Sequence, residues 1–109
     1  MTVQTLIESG LFKVEVPGSI SRSISKVFCC DLLSIAMGKA PENGAWVTVM
    51  GNKNTLAVAS LADISCIVLA EGIRFQDEEL ECARREQIAV FSTELPVFDA
   101  GLKIQELLS

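Results

Sequence analysis

Apolar and polar positions follow two different rhythms at the start of the chain. Apolar residues recur at helical spacing from Val3 to Ile7, and the run stops at Gly10, which predicts a short first helix with a left-handed C-terminal cap. The next segment, Leu11–Val16, alternates apolar residues with Lys13 and Glu15. This alternation is typical of a half-buried strand whose charged side chains face solvent.

Two segments in the middle of the chain are apolar almost throughout. Ala45–Met50 is interrupted only by Thr48, and Cys66–Ala70 is uninterrupted. Strands of this composition are typical of a parallel sheet that is covered on both faces. Between them, Thr55–Leu61 is predicted to form a buried helix capped by Asn54. The other predicted elements are strands at Lys26–Asp31 and Ile88–Phe91, and helices at Leu32–Met37, from Asp77 to Arg85 and from Val97 to Leu108.

Helix and strand alternate from Ala45 to the end of the chain, with short connections. Such connections require parallel strand pairing with right-handed crossovers. We therefore predict an α/β fold, with a mostly parallel central sheet and helices on both faces. A length of 109 residues is the common size of one domain, and no repeat or linker divides it. A single compact domain is expected to span residues 1–109.

Composition narrows the range of partners. Half of the residues are hydrophobic and the mean hydropathy is +0.41, so we expect some apolar surface to lie in a homodimer or a higher oligomer. The net charge of -5 supplies no basic field for nucleic acid or anionic lipid. No apolar run approaches the ~20 residues of a membrane span. We predict no nucleic-acid partner, no membrane partner and a cytoplasmic location.

The residue types that carry most enzyme chemistry are scarce. The chain has no histidine, the commonest general base and metal ligand, and no fingerprint of a nucleotide site or a nucleophilic serine. Its four cysteines form no Cys-x-x-Cys motif, and Cys29 and Cys30 would point to opposite faces of a strand. Cys30 also has no cationic activator near it in sequence. We expect free thiols, no metal, no cofactor and no catalytic activity.

One polar turn follows the first buried strand and precedes a helix. It combines a flexible glycine, a cation and two amides, the groups that hold phosphate or carboxylate at a helix start. The loop after the second buried strand should lie beside it, because both strands end at the same edge of the sheet. Arg22 could reach this edge or a partner subunit. The candidate ligand-binding residues are Gly51, Asn52, Lys53, Asn54, Glu71, Gly72 and Arg22.

The same residues have a structural interpretation. Asn54 is then only a helix cap, Gly51 a turn residue, and Lys53 and Arg22 solvated charges.

Several stretches match the pattern of a known family over roughly Val14 to Leu107. They are Gly18 with Arg22, Asp31-Leu32-Leu33-Ser34, Asn43 to Thr48, Gly51-Asn52-Lys53, Ala57 to Leu61, Ile67 to Gly72 and Ile88 to Thr93. In these stretches the chain resembles the DRTGG domain, a small α/β module of bacterial and archaeal proteins. Such domains occur alone or attached to phosphotransacetylases and CBS-domain inorganic pyrophosphatases, and they are similar to the amino-terminal domain of HPr kinase/phosphorylase. The resemblance implies a regulatory or assembly role, since the attached enzymes carry their chemistry elsewhere.

The chain departs from the family at the residues that give it its name. Gly51-Asn52-Lys53 stands where the family usually has Gly-Asp-Arg, and Ala70-Glu71-Gly72 stands where it has Thr-Gly-Gly. The first change exchanges a planar guanidinium for a point charge, and the second adds a carboxylate that repels an anion. We therefore favour a non-catalytic regulatory or assembly domain that acts as a homo-oligomer, with a protein partner, in a bacterial metabolic or signalling system. The alternative is a domain that senses a small anion or nucleotide at Gly51–Asn54.

Overall fold

Helices and strands follow one another in the order that the apolar pattern predicts. The computed structural model describes all residues from 1 to 109. Its alternation of elements and its sheet confirm the predicted α/β class. The elements are α1 (Val3–Ser9), β1 (Lys13–Val16), β2 (Lys26–Cys29), α2 (Leu33–Lys39), β3 (Gly44–Thr48), α3 (Lys53–Leu61), β4 (Cys66–Leu69), α4 (Asp77–Glu86), β5 (Ala89–Ser92) and α5 (Val97–Leu108).

The five strands form one sheet in the order β1-β5-β4-β3-β2. The four strands β2 to β5 are parallel, and β1 pairs with β5 in the antiparallel direction. The two most apolar segments, β3 and β4, are neighbours, with Ala45 opposite Cys66 and Thr48 opposite Leu69. Every residue of both strands is buried, which confirms the prediction of central strands covered on two faces.

Each face of the sheet has its own hydrophobic core. One core packs α2, α3 and α4 on the side chains of Trp46, Ile67 and Val90. The other packs α1 and α5 on Val47 and Val68. The helices therefore cover both faces, as the alternation of elements predicts. No helix has both the length and the apolar character needed to cross a bilayer.

The two outer strands differ in regularity. A bulge between Val14 and Val16 interrupts the pairing of β1 with β5, whereas β2 pairs with β3 without a break from Lys26 to Cys29. The bulge changes which side chains β1 buries: Val14 is exposed, and the Glu15 side chain is only 7% exposed. The prediction that Glu15 faces solvent is therefore wrong, because a bulge breaks the two-residue period of a strand.

Candidate functional site

The loops after β3 and β4 lie against each other at the carboxyl edge of the sheet. A Cβ atom added to Gly51 would be 2.7 Å from Cγ2 of Ile73 and 3.5 Å from the carbonyl oxygen of Arg74. The β4–α4 loop thus passes directly over the turn, and a Cβ atom at position 51 would press against the Ile73 side chain. The structure brings together the two loops that contain most of the candidate residues.

Asn52, and not Asn54, caps α3. Its Oδ1 atom accepts hydrogen bonds from the backbone N–H groups of Asn54, at 3.0 Å, and Thr55, at 3.3 Å. The helix begins at Lys53, two residues earlier than predicted, so the cap also moves by two residues. The capped N–H groups are those that an anion at this helix start would need. The turn therefore satisfies these two donors internally.

Lys53 extends from the turn toward the start of α4. It lines a cleft of about 260 Å³ together with Gln76, Glu78 and Glu79. The ammonium group forms no salt bridge with either carboxylate and is exposed to solvent. An anion bound to Lys53 in this cleft would face two negative charges, which oppose its binding.

The backbone of the Glu71–Gly72 turn is occupied by pairing with the end of β5. The Glu71 N–H donates to the carbonyl of Leu95 and the Gly72 N–H to the carbonyl of Thr93, both at 2.9 Å. Both residues of the turn have positive φ angles, 59° and 74°. These two N–H groups are therefore not free to bind an anion.

Arg22 lies at the opposite edge of the sheet from the other candidate residues. Its Nε donates to Oδ1 of Asn43 at 3.2 Å, and its Nη2 donates to Oδ1 of Asp63 at 2.8 Å and to the Asp63 carbonyl at 2.5 Å. Asn43 and Asp63 precede β3 and β4, so this is the amino edge. Of the two alternatives for Arg22, a position at the carboxyl edge is wrong, because β1 runs antiparallel to the other strands and ends at the amino edge.

Arg22 connects two turns of the backbone through its hydrogen bonds. Asn43 and Asp63 both have left-handed backbone conformations, with φ of 60° and 61°, which cost free energy for residues other than glycine. Their side chains and the Asp63 carbonyl are fixed by one guanidinium group. Arg22 therefore stabilises the two turns that lead into the central strands.

A polar cluster that the sequence does not reveal lies at the carboxyl edge between β1 and β5. Arg74 forms a bidentate ion pair with Glu15, with Nε–Oε2 at 2.8 Å and Nη2–Oε1 at 2.9 Å, and the Ser92 hydroxyl donates to Oε2 at 2.8 Å. Lys13 Nζ lies 3.9 Å from the same oxygen. The only sequence signal for this cluster is the charge of Glu15 within a strand, since Arg74 is 59 residues away.

The electrostatics of the cluster favour its ionised form. The hydrogen bond from Arg74 lowers the pKa of Glu15, and the bond from Ser92 and the charges of Arg74 and Lys13 lower it further, while burial opposes them. The same pairing raises the pKa of Arg74. Glu15 therefore stays a carboxylate at neutral pH.

The cysteines show no sign of an activated nucleophile. Cys29 lies on the sheet face that α5 covers, and Cys30 packs against the core on the other face, as predicted for adjacent strand residues. Burial raises the pKa of the Cys66 thiol to about 12. Burial and the charge of Asp31 raise the pKa of Cys29. A raised pKa lowers the fraction of reactive thiolate at both positions.

Asp31 joins the ends of two strands. Its Oδ1 atom accepts hydrogen bonds from the Thr48 hydroxyl, at 2.7 Å, and from the Val49 N–H, at 2.8 Å. No group of three or more potential ligand side chains has the arrangement of a metal site. Through its two hydrogen bonds, the Asp31 carboxylate links the end of β2 to the end of β3.

Comparison of the chain with models of known protein families and with curated proteins found no match. The relationship to the DRTGG domain therefore stays a prediction that rests on the residues quoted above. The α/β architecture is compatible with that family, but an α/β fold hosts many unrelated functions.

Proposed function

We propose that this chain is a non-catalytic regulatory or assembly domain of the DRTGG type that acts as a homo-oligomer in the bacterial cytoplasm. The observation that carries this proposal is a set of exposed apolar side chains on both sides of the β2 edge. The alternative site, the Gly51–Asn54 turn, offers a ligand few free hydrogen-bond donors. Assembly is therefore better supported than small-molecule sensing at that turn.

Helix α5 contributes one half of the apolar surface. A Cβ atom on Gly101 would lie 2.8 Å from Sγ of Cys29, so α5 crosses directly over β2. Ala100 and Ile104, on one side of Gly101, are buried in the core. Helical spacing puts Phe98 and Leu102 on the other side, beyond the edge of the sheet. Both are exposed, Phe98 by 71%.

Helix α2 contributes the other half, from the opposite face of the sheet. Ala36 is buried and Leu33 packs against the core, so both point toward the sheet. With a right-handed crossover from β2 to β3, helical spacing puts Leu32 and Ile35 on the flank of α2 that lies toward the β2 edge. Both are exposed. We call the set of exposed residues at this edge, Cys29, Leu32, Ile35, Phe98 and Leu102, the β2-edge surface.

A second copy of the chain is the occupant that this surface fits best. The Cys30 N–H donates to the Val47 carbonyl, so by strand alternation the backbone groups of Val27 and Cys29 point outward. Two β2 strands related by a two-fold axis can pair in the antiparallel direction and continue the sheet across the dimer. The same axis would bring the exposed residues of α2 and α5 next to those of the second copy.

Light scattering after size-exclusion chromatography tests this proposal. At ~100 μM the wild-type chain should be at least a dimer, because assembly depends on concentration. Phe98→Glu and Ile35→Glu should each shift it to monomer, since a buried unpaired charge opposes association. Leu61→Glu is the matched control: Leu61 is 79% exposed and apolar but lies outside the β2-edge surface. A monomeric wild type, or equal effects of all three variants, would contradict the proposal.

Sensing of a small anion or nucleotide at Gly51–Asn54 is the second hypothesis, and the free ammonium group of Lys53 is the observation in its favour. Thermal shift with nucleotides and inorganic phosphate tests it. A stabilisation that Lys53→Ala abolishes and Lys39→Ala retains would support sensing. The absence of any shift, together with capture of a partner protein that binds the wild type but not Phe98→Glu, would support the assembly role alone.

A further inference from the structure

A second cavity lies at the carboxyl edge of the sheet, above the Glu15–Arg74 ion pair. It has a volume of about 360 Å³ and is formed by the segment that enters β1, the segment that leaves β5 and the β4–α4 loop. The carboxyl edge is where ligands bind in open α/β sheets. This volume falls in the lower part of the range of small-molecule sites, which suits a compact ligand.

The cavity presents both a cation and an anion that have no strong partner. Lys13 has one ionic contact, at 3.9 Å to Glu15, and its side chain is largely exposed. Glu94 lies across Gly72, close enough that its carboxylate would collide with a Cβ atom there. The Glu94 carboxylate forms no salt bridge. A ligand can therefore gain an ion pair at each of these two side chains.

Several other lining groups already donate to acceptors within the protein. Arg74 donates from Nε and Nη2 to Glu15, and the Ser92 hydroxyl donates to the same carboxylate. The Gly72 N–H donates to the Thr93 carbonyl, and the Thr93 N–H donates to the Leu69 carbonyl. Glu94 would repel a second negative charge on a ligand in the cavity. The arrangement thus disfavours nucleotides and polyanions.

One wall of the cavity is apolar. Leu11 and Phe12 line it, and the Phe12 ring is held by an edge-on contact with Phe91, at 6.4 Å between ring centroids. Two apolar lining residues beside two opposite charges are complementary to a molecule with a carboxylate, an ammonium group and a side chain.

We propose that this cavity binds a free α-amino acid. The ligand carboxylate pairs with Lys13, the ammonium group pairs with Glu94, and the side chain lies along Leu11 and Phe12. The proposal is independent of the assembly role, because none of these residues belongs to the β2-edge surface.

Calorimetric titration of the full chain with single L-amino acids at millimolar concentration tests the proposal. At least one of them should bind with one site per chain. The matching carboxylic acid without the amine, and the matching amine without the carboxylate, should each bind at least about tenfold more weakly, since each loses an ion pair. No binding by any amino acid would overturn the proposal.

Matched variants locate the site. Glu94→Gln and Lys13→Gln should each weaken binding at least about tenfold. Glu42→Gln and Lys26→Gln, which change exposed charges outside the cavity, should bind as the wild type does. Binding that survives Glu94→Gln, or tighter binding of phosphate in that variant, would show a plain anion site and would overturn the proposal.

Discussion

The two edge strands of the sheet, β1 and β2, differ in how well their unpaired side is protected from association with another chain. At the β1 edge the strand is bulged, and its buried Glu15 carboxylate is held by an ion pair with Arg74. At the β2 edge the strand is regular, carries one charged residue, Lys26, and has exposed apolar side chains on both flanks. Bulges and inward charges block edge-to-edge association, whereas a regular apolar edge permits it. The β2 edge is therefore the better suited of the two to the assembly that we propose.

The largest expected effect on stability concerns Gly18, where the loop that follows β1 passes close to the start of β5. Gly18 has a φ of 62°, and a Cβ there would collide with the backbone N of Ala89 and lie 2.8 Å from the carbonyl carbon of Ile88. Gly18→Ala should lower the free energy of unfolding by more than about 3 kcal/mol, because left-handed strain and a backbone clash add. Denaturant titration measures this loss.

Gly10→Ala is the control for this prediction. Gly10 has a similar φ of 68°, but its added Cβ meets nothing within 4 Å. It should cost about 1–2 kcal/mol from the left-handed conformation alone. Equal losses for the two variants would show that β5 does not constrain the chain at Gly18.

The corresponding test at the β2 edge introduces a methyl group that meets a side chain, where Gly18→Ala meets the backbone. Gly101→Ala should cost about 1–3 kcal/mol, since the new methyl group is forced against Sγ of Cys29. Cys29→Ala removes that sulfur atom, so the double variant should recover much of the loss. A double-mutant cycle measures the coupling, and a coupling of zero would mean that α5 does not cross β2 at this point.

Loss of the side chain that caps α3 should have a smaller effect on stability. Asn52→Ala should destabilise the fold by about 1 kcal/mol, because two N–H groups of α3 lose their acceptor. Asn54→Ala should change stability little, since the Asn54 side chain forms no hydrogen bond in the structure. Thermal unfolding of both variants decides between the two caps, and the reverse order would restore the sequence-based assignment.

The smallest effect is a pH dependence at the β1 edge. The pKa of folded Glu15 lies below its ordinary value of 4.5, so ionised Glu15 stabilises the fold above that pH and the contribution is lost as the pH falls through the folded pKa. Glu15→Gln should therefore be less stable than the wild type at pH 7, with the difference fading in acid. Glu42→Gln, at an exposed position, should track the wild type at every pH. A gap for Glu15→Gln that did not change with pH would contradict the ion pair.

The local parts of this fold could be predicted from the sequence, and the long-range parts could not. The almost entirely apolar runs of β3 and β4 indicate that both strands lie at the centre of the sheet, because such composition is typical of strands covered on both faces. The burial of Glu15 depends on a bulge and on Arg74, which is distant in sequence. The place of Arg22 depends on the direction of β1, which no residue of β1 encodes. Asn52 and Asn54 both have capping side chains, so composition alone does not choose between them.

The pairing of β1 with β5 has a consequence for how the chain is made. Lys13 lies opposite Ser92, so β1 has no strand partner until β5 has been synthesised. The β2, β3 and β4 units can pair earlier, since each is next to its neighbour in sequence. Contacts of such long sequence separation form late and slowly. The antiparallel edge of the sheet should therefore complete its pairing after the parallel strands β2, β3 and β4 have come together during synthesis.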